Sequence, residues 1–177
     1  PGFADLAVEE FADRWQQQGR VVGPAAVAFP ENAKLPKLDD AIFARQLLPR
    51  AMRFELKDES AIEAVVSQIV KRLEVLSKRA NRVASPWTLH AFALDDDPAT
   101  AIAGSIEKSL LKAVKQRLPR LFERYLSVAD SQAESLSERD ASNLMLVQVY
   151  VSTVNDVWFS TASLGAVSYT HLTLPTI

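Results

Sequence analysis

The sequence predicts an α+β or α/β fold in which helices pack on one mixed sheet. Two observations predict it. Runs with apolar residues every third or fourth position alternate with short strand-like runs. The last two strand-like runs, Leu144–Val151 and Val157–Ser160, are separated by Asn155-Asp156, a turn pair that marks an antiparallel hairpin. No internal repeat or low-complexity segment interrupts this pattern.

The elements follow in order. Ala4–Gln18 carries Leu6, Val8, Phe11, Ala12 and Trp15 on a helical face. Asp5, Glu9 and Glu10 fall in its first turns, where the helix dipole favours acids, and Gly19 is a C-terminal stop. Arg20–Phe29 is an extended run broken by Gly23-Pro24, and Pro30–Lys37 is a polar loop. Asp39–Leu48 is a short helix, or a helical turn entering a strand, with Asp39 or Asp40 as its cap. Arg50–Leu56 alternates Met52, Phe54 and Leu56 against Arg53, Glu55 and Lys57, which is a strand with one wet face. Ser60–Lys78 is a strong helix, with Ile62, Val65, Val66, Ile69, Val70, Leu73 and Leu76 inward and a Ser60/Glu63 capping box. Lys71, Arg72, Lys78, Arg79 and Arg82 make its end basic, which also suits the helix dipole.

Trp87–Leu94 is a strand by its β-branched and aromatic content. Ala101–Leu126 is the longest amphipathic run, with Ile102, Ile106, Leu110, Val114, Leu118, Leu121, Phe122 and Tyr125 on one side. Pro119 predicts either a kink or a second helix starting at Leu118-Pro119. Ser127–Asn143 is polar and acidic, a loop or frayed helix, and Leu144–Val151 is apolar enough to be a central strand.

The 177 residues allow one domain or two small ones, and 48% apolar with 24% charged residues is ordinary for a globular chain. The absence of cysteine excludes disulfides, thiolate metal sites and Cys nucleophiles, and it suits a reducing compartment. No run of 18 apolar residues is present, so no membrane association is expected. The net charge of −2 carries no global nucleic-acid signal. Its distribution does: residues 41–124 hold fifteen Lys/Arg against ten Asp/Glu. Within the long helical run, Lys108, Lys112, Lys115, Arg117, Arg120 and Arg124 outnumber Glu107 and Glu123 six to two. Lys108, Lys112, Lys115, Arg120 and Arg124 fall opposite the apolar side, and Arg45, Arg50 and Arg53 are candidates to extend the basic face. A face of this kind holds phosphates with little sequence information; it is also what a solvated helix surface looks like.

No nucleotide-binding glycine motif, P-loop or nucleophile elbow occurs. His90 in mid-strand reads as a sheet-face residue rather than a ligand or base. Asp95-Asp96-Asp97 reads as a solvated, helix-capping turn, with a hard-cation site as the alternative. Trp15, Trp87 and Trp158 read as core or half-core, with a base-stacking role the alternative for Trp158 on a terminal strand. No catalytic residue and no metal site is assigned.

Three stretches carry a resemblance. Pro1–Ala12 (PGFADLAVEEFA) resembles the opening of bacterial 23S rRNA 2′-O-ribose cytidine methyltransferases. Ile42–Gln46 (IFARQ) resembles a motif closing that family's ferredoxin-like domain. Ser109–Leu121 (SLLKAVKQRLPRL) with Leu146–Ser163 (LVQVYVSTVNDVWFSTAS) resembles the helix and final strands of its THUMP-type RNA-binding domain. The resemblance implies an α+β chain with a ferredoxin-like unit over residues 1–54 and a THUMP-like α/β unit with a mixed sheet over 55–165. Between Phe29 and Asp39 the chain is shorter than the family pattern, so an element of the first unit is expected to be missing. It further implies ribosomal RNA as partner, a cytoplasmic monomer, and no cofactor in this region. S-adenosylmethionine is expected for a Rossmann-type catalytic domain that follows in such enzymes. The competing expectation is an α+β interaction or dimerisation module with an acidic protein partner.

Val167–Thr176 (VSYTHLTLPT) breaks the pattern and resembles a translated sequencing-adapter end. Residues 166–177 are therefore expected to be non-native, leaving His171 without a functional meaning. Together with the start at Pro1, this predicts a fragment whose native sequence continues past about Gly165.

Overall fold

Two helical stripes and one run of alternating strand residues fix the architecture. A computed structural model describes residues 2–23, 26–30, 33–34, 42, 48, 50–57, 61–79, 85–93, 97–127, 143–153 and 155–163. The order is α1 (Phe3–Trp15), β1 (Arg20–Gly23), β2 (Ala26–Ala28), β3 (Met52–Glu55), α2 (Ala61–Arg79), β4 (Trp87–Ala93), α3 (Asp97–Arg117), α4 (Pro119–Phe122), β5 (Tyr125–Leu126), β6 (Met145–Thr153) and β7 (Asp156–Ser163). The fold is α+β, with one two-stranded antiparallel sheet and one mixed five-stranded sheet.

The large sheet runs β3-β7-β6-β4-β5. β4 lies parallel to both β5 and β6, whereas β6–β7 and β7–β3 are antiparallel. β6 is the middle strand, as its mostly apolar run predicts, and it is buried from Met145 to Ser152. Strand period separates its two faces. Met145, Val147, Val149 and Val151 point to the helices, with Trp87 and Leu89 of β4 and Val157 and Phe159 of β7. Against them α2 sets Val65, Val66, Ile69, Val70 and Leu73, and α3 sets Ala99, Ala103, Ile106, Leu110 and Val114. Each fully buried Ile, Leu or Val contributes about 1.5–3 kcal/mol relative to exposure.

The other face carries Thr88, Gln148, Ser152 and Ser160, all buried. The β1–β2 hairpin lies over its β6 end. A Cβ on Gly23 would stand 3.1 Å from the Ser152 Cβ and 3.7 Å from the Tyr150 hydroxyl, so this contact uses a residue without a side chain.

Several elements depart from the sequence expectations. Arg20–Phe29 holds a hairpin rather than one extended run: β1 and β2 pair antiparallel, with Arg20 opposite Ala28 and Gly23 opposite Ala26. α1 stops at Trp15, and Gln16, not Gly19, takes the left-handed cap conformation at φ 56°. Gly19 serves a close approach instead: a Cβ there would meet Val27 Cγ1 at 2.5 Å. The buried line of α1 is Ala4, Ala7 and Phe11, with Leu6 and Val8 half-buried. Phe11 packs on Phe29 and Trp15 at ring separations of 4.8 and 5.0 Å.

The long amphipathic run resolves to the second of its two alternatives. α3 ends at Arg117, and Pro119 occupies the first turn of a new four-residue helix. Tyr125, expected on the helix, instead begins β5 and pairs with Trp87. β7 is an inner strand, so Trp158 is not on a terminal one.

The boundary expected between residues 54 and 55 falls within β3, which pairs with β7. Ser60, Arg82, Asp95-Asp96, residues 128–142, all of Asp39–Leu48 except Ile42 and Leu48, and the adapter-like tail lie outside the described residues.

Trp87 ties α4 to the sheet. Its indole N–H donates to the Leu121 carbonyl at 2.7 Å, and its backbone N–H donates to the Arg124 carbonyl at 3.0 Å. Trp87→Phe is expected to lower stability by about 0.5–1.5 kcal/mol, since it removes one buried hydrogen bond while the Leu121 carbonyl keeps the Arg124 N–H at 3.1 Å. Urea unfolding checks this, and an unchanged midpoint would show the bond to be dispensable.

Candidate nucleic-acid interface

Helical geometry decides where the cations of α3 point. Ile106, Leu110 and Val114 are fully buried. At 100° per residue, Lys108, Lys112 and Lys115 then emerge within an arc of about 60° on the opposite side. All three are exposed. They form a straight stripe about 10 Å long, from a rise of 1.5 Å per residue. Beyond the Pro119 break, Arg120 and Arg124 are exposed as well. Among the described residues, none of these five cations is held in a salt bridge.

Their spacing works against the helix. Lys108 and Lys112 stand four apart, and Lys112 and Lys115 three apart. Each like-charge pair destabilises an isolated helix by about 0.2–0.5 kcal/mol. The neighbouring helix behaves differently. There Lys78 donates to Glu74 Oε1 at 2.7 Å, and this bond and charge, with a smaller contribution from Arg117, hold the Glu74 carboxyl below its ordinary range. Arg117 turns away from the stripe and donates to Ser67 Oγ of α2 at 3.4 Å. The helix dipole accounts for cations in the last turn of α3, Lys115 and Arg117. It does not account for Lys108 and Lys112, which lie outside that turn.

The residues proposed to extend the face fare differently. Arg53 lies on β3 at the far edge of the sheet from β5, four strand spacings or about 19 Å away. Its neighbours Met52 and Phe54 pack on the helix-side core, so Arg53 points to the other face. There it donates two hydrogen bonds to the Asp156 carboxylate, Nε to Oδ1 at 2.8 Å and Nη2 to Oδ2 at 3.0 Å. The structure thus does not bring Arg53 to the α3 stripe. Arg45 lies outside the described residues; Arg50 is exposed with φ 51°.

A second feature at the α4 end escaped the sequence pattern. Phe122 and Tyr125 are half-buried and lie nearly parallel, with centroids 6.0 Å apart and planes 15° apart. Tyr125 in turn meets Trp87 at 5.0 Å. The Lys115 ammonium lies 5.6 Å from the Phe122 centroid, over the ring. In sequence, Phe122 and Tyr125 read only as members of an apolar stripe, and nothing there marks their stacking.

Elsewhere the chemistry is sparse. Among the described residues no three His, Asp or Glu side chains gather in a way that could hold a metal ion. No described helix is long and apolar enough to cross a membrane. His90 lies on the sheet face away from α2 and α3, stacked on Phe92 at 4.7 Å, which stacks on Tyr150 at 5.2 Å. Trp158 is half-buried on that face, with its indole N–H buried and without a hydrogen-bond partner among the described residues. Searches against family models, curated proteins and solved structures find no match to this chain.

Burial disfavours the charged imidazole and pushes His90 below its ordinary value. The unfolded chain therefore binds the proton first, and stability falls as pH drops through the unfolded value of about 6.5 toward the lower folded one. Above that window His90 has no effect on the pH dependence. Between pH 7.5 and 5, the urea midpoint of wild type is expected to fall relative to that of His90→Phe. A difference that stays constant would show that the imidazole carries no such penalty.

Proposed function

We propose that this chain is an RNA-docking region of an rRNA 2′-O-ribose methyltransferase, and that the α3–α4 face is where it holds structured ribosomal RNA. The observation that carries the reading is the stripe of Lys108, Lys112 and Lys115, continued by Arg120 and Arg124 and without carboxylate partners among the described residues. Cations fixed on a helix that is itself fixed on a sheet meet a phosphate backbone with little ordering cost. They position the RNA without reading its bases. The resemblance of Pro1–Ala12, Ile42–Gln46, Ser109–Leu121 and Leu146–Ser163 supplies the methyltransferase part of the reading.

In this reading α1 and the β1–β2 hairpin belong to a ferredoxin-like unit, and the five-stranded sheet with α2 and α3 to a THUMP-like one. The S-adenosylmethionine chemistry belongs to a separate catalytic domain, and no residue here is assigned to it. The role of this region is to place a ribose, through phosphates bound nearby, within that domain's reach.

Binding of a labelled 23S rRNA stem-loop, followed by anisotropy, tests this. With five phosphate contacts, a tenfold rise in salt is expected to weaken binding roughly a thousandfold or more. Replacing Lys108, Lys112 and Lys115 by Gln should reduce the slope of log K against log salt by about 2–3. No binding at micromolar protein, salt-independent binding, or a stable dimer that buries this face in sedimentation would each overturn the reading.

A further inference from the structure

We infer that the α4–β5 corner is a base-stacking site for a single-stranded segment of RNA, with the Phe122 ring as the platform and Lys115, Arg120 and Arg124 as its phosphate clamps. The inference rests on the docking reading above and specifies the nucleic acid that this end of the face takes.

The corner combines the two things a single strand needs, a track of cations and an aromatic surface. Residues 115–124 carry Lys115, Arg117, Arg120 and Arg124 against one acid, Glu123. Arg117 is turned to α2, which leaves three exposed cations in this segment, Lys115 over the ring and Arg120 and Arg124 within two residues of Phe122 in the chain. Phe122 lies nearly parallel to Tyr125 at 6.0 Å, and Tyr125 meets the buried Trp87 at 5.0 Å, so the ring is tied to the core through an aromatic chain. The ring is half-buried, and the exposed Lys115 side chain reaches over it with its ammonium 5.6 Å from the centroid.

That cover is exchangeable. Lys115 is exposed on a flexible four-carbon stem. A cation over a ring at an exposed site is worth about 2- to 5-fold in an equilibrium constant. A base on an aromatic ring is worth about 5- to 150-fold. A base therefore displaces the ammonium, and the displaced ammonium is then beside that nucleotide's phosphate. The platform is also held in place: the Trp87 indole N–H bonds to the Leu121 carbonyl and its backbone N–H to the Arg124 carbonyl, on either side of Phe122. A duplex, whose bases are already stacked on one another, presents no free π-face to this ring and engages only the cations.

The test compares a labelled unstructured 12-nucleotide RNA with a blunt 12-base-pair RNA duplex on the wild-type chain and on Phe122→Leu. Leucine keeps apolar volume and removes the π-face. The expected result is roughly tenfold weaker binding of the single strand, with duplex affinity and both salt slopes unchanged. In the wild-type chain, the Phe122 ring proton resonances should also move upfield on adding the single strand and stay in place on adding the duplex. This second measurement decides the matter should Phe122→Leu fail to fold. Equal loss on both RNAs, no loss on the single strand, or unmoved ring resonances overturn the inference while the docking reading stands. Failure of both RNAs to bind overturns both.

Discussion

The register of α3 on the sheet is the constraint from which the rest follows. Ala99, Ala103, Ile106, Leu110 and Val114 lock into β4 and β6, and Ile106, Leu110 and Val114 are fully buried. A helix has one rotation about its axis that buries such a stripe. Once it is taken, Lys108, Lys112 and Lys115 have no choice of direction. The electrostatic character of the outer surface is therefore set by apolar packing on the inner one. Several kcal/mol of burial stand behind the orientation of charges whose own contacts are worth far less.

Pro119 makes the second decisive turn. Had the helix continued, Phe122 and Tyr125 would have stayed on its apolar face and gone under the layer. The break lets the chain drop to the sheet edge, where Tyr125 joins β5 beside Trp87. The two hydrogen bonds from Trp87 then fix the four residues of α4, a helix too short to be stable alone. The aromatic pair emerges half-covered at the corner because the break and the clamp act together.

The periodic elements were legible in the sequence because each repeats one signal several times. Val65 to Leu73 in α2 and Ile106 to Val114 in α3 mark helices by spacing alone, and the run from Leu144 marks a central strand by apolarity alone. What escaped was decided by single residues or by partners distant in sequence. A reversal between Gly23 and Ala26 made a hairpin of a strand, and one proline moved Tyr125 from helix to sheet. The pairing of Arg53 with Asp156 joins residues 103 positions apart, which no local pattern encodes. The same holds for the basic face: its membership was legible on the helix, where spacing equals neighbourhood, and not on β3, where it depends on strand order.

The solvated-surface and docking readings agree that Lys108, Lys112 and Lys115 face water, so exposure does not separate them. The docking reading rests instead on their arrangement. A helix selected only for solubility gains by setting acids three or four residues from its lysines, as α2 does with Glu74 and Lys78. α3 instead places lysine next to lysine, at a cost of about 0.5–1 kcal/mol over the two pairs. The fold tolerates this because the buried side of the same helix supplies several times that amount. A repulsion kept in the free molecule is relieved when a polyanion lies along it, so part of the binding free energy is already stored in the helix before the partner arrives. Net charge of the whole chain, at −2, plays no part in this. At an ionic strength of about 0.15 M the field reaches about 8 Å, roughly the length of the stripe itself, so only the local pattern is felt.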